Sequence, residues 1–212
     1  MYSAASMLVH SSSTSISVVT VATPLGDVLV AAAEAGVCAV TFDDRVESLE
    51  PSLRRRFGHF FHLEVGDPLG VELGLRTYFA GKLDALERIP LAVAGTPMQA
   101  RVWAMLRAMR PGELTTYATL AERLGMPRAQ RAVGVCLASN PVPLFIPCHR
   151  VVAASGGLGS HPGGIPRKRW LLSHEGVLDA HEPRVARSVR RHLNPRDRTF
   201  AERGDLVAVP VS

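Results

Sequence analysis

Short β-branched or apolar runs over Ile16 to Thr23, Val28 to Glu34 and Val37 to Asp43 are separated by Pro24-Leu25-Gly26-Asp27 and by Ala35-Gly36. Runs of this length between turn-forming residues predict a small antiparallel meander. The period then lengthens. Helical patterns cover Val46 to Phe57 and Gly70 to Ala80, the second stopping at Gly81, where glycine can take the left-handed cap conformation. Ile89 to Val93 is apolar enough to predict one further strand.

Ala94-Gly95-Thr96-Pro97 is the best linker, because a threonine before proline caps and opens a helix. Val102, Met105, Leu106 and Met109 recur at helical spacing after it. Arg110-Pro111-Gly112 ends that helix, and Thr116 can cap a second one running through Leu124. Gly125-Met126-Pro127 breaks again before a third, from about Ala129 to Ala138. Helix, turn and helix in this order suit DNA binding. Asn140 to Pro147 carries three prolines and cannot be helical, since each proline pushes its predecessor into extended geometry. A glycine-rich loop from Ser155 to Gly164 precedes a last helix near Arg167 to His174. The organisation expected is a leader over 1–15, an N-terminal α/β domain over 16–94, a C-terminal domain over 95–178 and a loosely ordered basic tail over 179–212.

With 212 residues, 47% of them hydrophobic and 20% charged, the composition is that of a packed globular protein, not a disordered, collagen-like or coiled-coil chain. The net charge of +5 hides an asymmetry. Residues 1–95 hold 7 basic and 11 acidic side chains, 96–178 hold 10 and 3, and 179–212 hold 7 and 5. A basic segment beside an acidic one fits a polyanionic partner for the second domain, with chance surface composition as the bland alternative. Cys38, Cys136 and Cys148 make a poor disulfide framework and fit a reducing compartment. The leader MYSAASMLVHSSSTS has neither a basic start nor a long apolar stretch, and no run reaches the length of a membrane span. A cytoplasmic protein with no membrane partner is expected.

Pro147-Cys148-His149-Arg150 puts a thiol, an imidazole and a guanidinium in consecutive positions. A free thiol is only slightly ionised at neutral pH, so a neighbouring base or cation is what makes it a nucleophile. If Cys148 lies on a strand, His149 points to the other face and needs a turn or a bridging water to take its proton. Glu175 is a candidate carboxylate to orient that imidazole. Taken alone, the pair is equally consistent with a buried inert cysteine.

The stretches YFAGK, GTPMQARVW, TTYATLAERLG, RAVG, NPVPLFIPCHRVV and KRWLLSHEG lie in register between Tyr78 and Gly176. Over this span the chain resembles the O6-alkylguanine-DNA alkyltransferases, the methylated-DNA–protein-cysteine methyltransferase family. The resemblance implies an α+β fold, with a small α/β N-terminal domain bearing an antiparallel sheet and a C-terminal winged helix-turn-helix-like domain. It also implies that Cys148 accepts the alkyl group, that His149 is the water-linked base beside it, and that Glu175 completes the relay. Tyr117 is implied as the proton donor to the leaving guanine, and Arg131 as the side chain that replaces the flipped nucleotide. Asn140 would hold the turn before the cysteine, with Pro147, Arg150, Ser160 and His161 shaping the pocket.

A major-groove reader would want more Asn, Gln and Arg on its contact face than Arg128, Ala129, Arg131, Ala132 and Gly134 provide. The resemblance implies minor-groove entry instead, and small residues allow that close approach. The expected partner is duplex DNA containing O6-alkylguanine, with O4-alkylthymine a candidate second substrate. No cofactor, metal or protein partner is expected, and the protein is expected to be a monomer. The expected activity is direct-reversal repair by one irreversible transfer to Cys148.

His161 stands where many relatives carry a tyrosine, and Gly159, Ser160 and Pro162 also depart from the family loop, which puts the alkyl-group range in question. Cys136 reads as a small core filler, Trp103 and Trp170 as core, and the His59/His62 pair as surface residues rather than metal ligands. Three competing functions remain at this level: a lesion-binding protein that accepts no alkyl group, a regulator switched by alkylation of Cys148, and a Cys-His hydrolase that turns over.

Overall fold

The computed structural model describes residues 14–58 and 61–178. All of the leader but its last two residues, the tail and His59 lie outside the described residues.

The predicted meander forms as β1 (Thr14–Thr23), β2 (Gly26–Ala33) and β3 (Gly36–Phe42), each antiparallel to the next. Pairing of β2 with β3 skips Cys38, and the extra residue turns both Cys38 and Ala39 toward one face. On that face lies α1 (Leu49–Phe57), whose Leu49 and Leu53 pack against Ile16, Ala31, Cys38 and Ala39. The opposite face carries Val28, Val30, Val37 and Phe42 into the main core, which explains why every residue of β3 is buried. The predicted helix from Val46 divides in two, a 3-10 segment Asp43–Ser48 with a non-helical Arg45, then α1.

Two expectations fail in this half. A fourth strand, β4 (Phe61–Val65), runs parallel to β1 at the sheet edge, giving the order β3-β2-β1-β4. Its Val65 is 98% exposed, so it has no buried periodicity to betray it. Ile89 to Val93 forms no strand. It makes one bridge, Val37 to Leu91, with Val37 N–H donating to Pro90 O and Ala92 N–H to Val37 O. Pro90 has no amide hydrogen with which to extend the ladder.

Helix α2 (Val71–Phe79) follows β4, and α3 (Pro97–Arg107) comes next. Thr96 and Gln99 close a reciprocal capping box there, each side chain accepting from the other's amide. Thr116 caps α4 (Tyr117–Arg123) by accepting from Thr119 N–H. After the Gly125 turn, α5 (Gln130–Ala138) packs on α3, and Trp103 Nε1 donates to Cys136 O at 2.8 Å. Two short strands, β5 (Thr115–Thr116) and β6 (Val151–Val152), pair in parallel and set the ends of α4 and the cysteine segment side by side. The last helix, α6, spans Ile165–His174.

One apolar core runs through both halves, joining Val30 and Leu75 to Leu106, Val133 and Phe145. Arg107 staples the halves by donating to Leu86 O, Glu87 O, Ile89 O and Phe145 O. Trp103 is core, as expected, whereas Trp170 is only half-buried and stacks on His174 at 4.8 Å between centroids. Among the described residues no helix is long and apolar enough to cross a membrane.

Candidate active site

Asn140 closes the segment that delivers Cys148. Its Nδ2 donates to Ile146 O at 2.9 Å, and its Oδ1 accepts from Val142 N–H at 3.1 Å, so one side chain pins both ends of the proline-rich loop. Inside that loop Leu144 takes φ 77°, a left-handed conformation unfavourable for a branched side chain and held here by burial. Buried Pro147 then leads into a 3-10 turn, Cys148–Arg150.

The turn corrects the strand expectation for Cys148. With about three residues per turn, consecutive side chains diverge by about a third of a circle instead of alternating between two faces. Cys148, His149 and Arg150 therefore all enter the interior, with the cysteine 3% exposed and the histidine 1%. Burial raises the Cys148 pKa; the Asn140 side chain and the Lys168 charge oppose that rise without cancelling it. The resting group is a thiol that ionises only when its proton is taken.

Glu175, at the end of α6, organises what stands behind the thiol. Its carboxylate accepts from Tyr78 Oη–H at 3.0 Å, His149 Nε2 at 2.9 Å, Arg150 Nε and Nη2 at 2.9 and 2.8 Å, and Gly112 N–H at 3.3 Å. Arg150 Nη1 also donates to Met109 O at 2.6 Å. Burial would raise the Glu175 pKa, but His149 and Arg150 together hold it well below the usual carboxylate range. An ionised carboxylate only accepts, so His149 Nε2 carries the hydrogen and Nδ1 keeps its lone pair. That Nδ1 is enclosed and no protein group reaches it. Burial also lowers the His149 pKa, keeping the ring neutral and able to accept a proton.

Tyr117, the first residue of α4, lies between Gly134 of α5 and Gly159 of the glycine loop. A β-carbon at Gly159 would fall 3.0 Å from the Tyr117 hydroxyl, and one at Gly134 3.9 Å from its ring. His161 meets His149 edge to face, with ring centroids 6.5 Å apart. The carbonyl of exposed Ser160 accepts from Lys168 Nζ. Arg128 and Arg131 are exposed at the start of α5, with Ala129, Ala132 and Gly134 half-buried, so these form a separate outer surface.

Sequence reasoning missed two members of the site. Lys168 is fully buried, donates to Val151 O as well as to Ser160 O, and has its pKa brought down to about 8 by burial. Its signal was present, since a lysine on one helical stripe with Leu171 and Leu172 is misplaced for a solvent-facing charge. Tyr78 reaches Glu175 across 97 residues, a separation no local pattern conveys.

A cysteine, a neutral imidazole and a buried carboxylate set beside a helix-turn-helix define a nucleophilic-cysteine protein with a nucleic-acid-binding type of scaffold. Residues 97–177 match the family model for the DNA-binding domain of 6-O-methylguanine DNA methyltransferase. The chain is 40% identical over 161 residues to the methylated-DNA–protein-cysteine methyltransferase of Shigella flexneri, covering 74% of this chain and 94% of that one. The human protein of the same name is 40% identical over 109 residues, covering 48% and 52%. Among solved structures, Mycobacterium tuberculosis OGT in complex with DNA superposes with a TM-score of 0.64 at 32% identity, over 82% of this chain and 98% of that chain. The chain belongs to the methylated-DNA–protein-cysteine methyltransferase family.

Proposed function

We propose that this protein repairs O6-alkylated guanine in duplex DNA by transferring the alkyl group to Cys148, once per molecule. The observation that carries the reading is the His149–Glu175 hydrogen bond at 2.9 Å, which leaves a neutral imidazole with its lone pair free beside a buried thiol. A thiol proton passes toward His149 Nδ1, and Glu175 stabilises the imidazolium that forms. The sulfur then bonds to the alkyl carbon as the carbon–O6 bond breaks, its electron pair leaving on the guanine. Tyr117 protonates that guanine and is itself reprotonated, so the net change is one proton moved from sulfur to base. The thioether product resists water, which accounts for a single turnover.

A base stacked in a duplex cannot reach a thiol buried this deeply, so the lesion must be extruded. Arg131 fills the gap it leaves. Arg128 and the amides of α5 meet the phosphates, and Ala129, Ala132 and Gly134 let the helix approach the minor groove. Asn140, Pro147, Arg150, Ser160 and His161 hold the pocket. Three unpaired cysteines support a cytoplasmic setting.

The test is to incubate the full chain with a duplex holding one O6-methylguanine and map the adduct by peptide mass. One added methyl on the Cys148 peptide is expected. A methyl on Cys38 or Cys136, or none, would overturn the assignment.

A further inference from the structure

Two imidazoles beside Cys148 have complementary unmet needs. Glu175 holds the hydrogen of His149 on Nε2, so its enclosed Nδ1 presents a lone pair with no protein donor in reach. His161 is the reverse. Its Nδ1 accepts from Gly163 N–H at 3.0 Å, which puts the hydrogen on Nε2, and that enclosed nitrogen has no protein partner at hydrogen-bond distance. The ring centroids lie 6.5 Å apart at 70°. A water with hydrogen bonds of about 2.8 Å spans two nitrogens up to about 5.6 Å apart. Nitrogens on the near sides of two rings at this separation fall within that span.

We propose that His161 is a positioning residue for proton transfer: its Nε2–H donates to a water that in turn donates to His149 Nδ1. With one lone pair engaged by His161 and one hydrogen by His149, the water has its other lone pair turned to accept the Cys148 proton. The proposal rests on the alkyl-transfer reading. In the transfer the S–H bond breaks, its proton joins the water, and another water proton moves to Nδ1. His161 gives up nothing and acquires no charge.

Neutrality matters, because a cationic His161 would oppose the imidazolium forming on His149. Burial, reinforced by His149, Lys168 and Arg167 and opposed by the Gly164 backbone, brings the His161 pKa down to about 3. His149 is faced by Glu175, which favours its charged form, and by Arg150 and Lys168, which oppose it.

The experiment compares wild type, His161→Phe and His161→Gln in single-turnover transfer from an O6-methylguanine duplex between pH 6 and 9. His161→Phe should slow transfer roughly tenfold near neutrality, the loss of one positioning hydrogen bond, and move the rising limb of the profile to higher pH. His161→Gln restores an N–H and should recover most of the rate. A Phe variant with the wild-type rate and profile, or a Gln variant as slow as Phe, would overturn the proposal. If the Phe variant fails to fold, His161→Leu against His161→Gln makes the same comparison. Wild-type protein that takes up no methyl would instead sink the alkyl-transfer reading itself.

Discussion

Behind Cys148, one carboxylate takes five hydrogen bonds from four residues that lie 25 to 97 positions from it along the chain. On the outward side of α5, Arg128 and Arg131 stand in solvent and Val135 is 65% exposed. The first region is preorganised: its charges are buried, paired and fixed before any substrate arrives, so chemistry there needs little rearrangement. The second, in the proposed reading, is an electrostatic surface that meets a deformable duplex. Damage to the first should therefore register in folding and reactivity together, and damage to the second in DNA handling alone.

The largest effect should come from Glu175→Ala, which leaves Arg150 buried without its counter-charge and removes the acceptor of Tyr78 and His149. Losing one partner of such a pair costs about 3–5 kcal/mol, readable as a lower urea midpoint along with loss of transfer. A variant as stable as wild type would erase the contrast between the regions.

Arg131→Ala should leave stability within about 0.5 kcal/mol of wild type. Repair of duplex should fall tenfold or more while reaction with free O6-alkylguanine base stays unchanged. Equal losses on both substrates would mean that Arg131 does not serve base extrusion.

A smaller effect sharpens the view of the interior. Below about pH 6.5 the unfolded chain protonates His161, whereas the folded chain refuses that proton until about pH 3. The unfolded state then binds more protons, so stability falls as pH drops through this window, by up to about 1.4 kcal/mol per pH unit from this group. His161→Gln removes the titration from both states and should flatten the fall in urea midpoint between pH 6.5 and 5. An unchanged slope would show that the ring is not held neutral.

The same contrast governs what could be read from the sequence. Meander strands, the Thr96-Pro97 helix start and the Thr116 cap were legible, because apolar runs bounded by turn residues and caps are local signals. Edge strand β4 was not, since Leu63 and Val65 face solvent and leave no buried period. Ile89 to Val93 had the apolar content of a strand, but Pro90 confines it to a bridge. Cys148 and its neighbours were visible as a motif, yet their placement on a 3-10 turn was not, because three residues carry no period. Lys168 could be suspected from its place on the Leu171 and Leu172 stripe, whereas Tyr78 became a site residue only through a contact made by folding.

The most direct measurement is a titration of methylated duplex against a fixed amount of protein, followed by intact mass for wild type and Cys148→Ala. Wild type should gain one methyl per chain and then stop, while Cys148→Ala binds the duplex and gains none. Continued turnover by wild type, or a methyl carried by the alanine variant, would contradict the account.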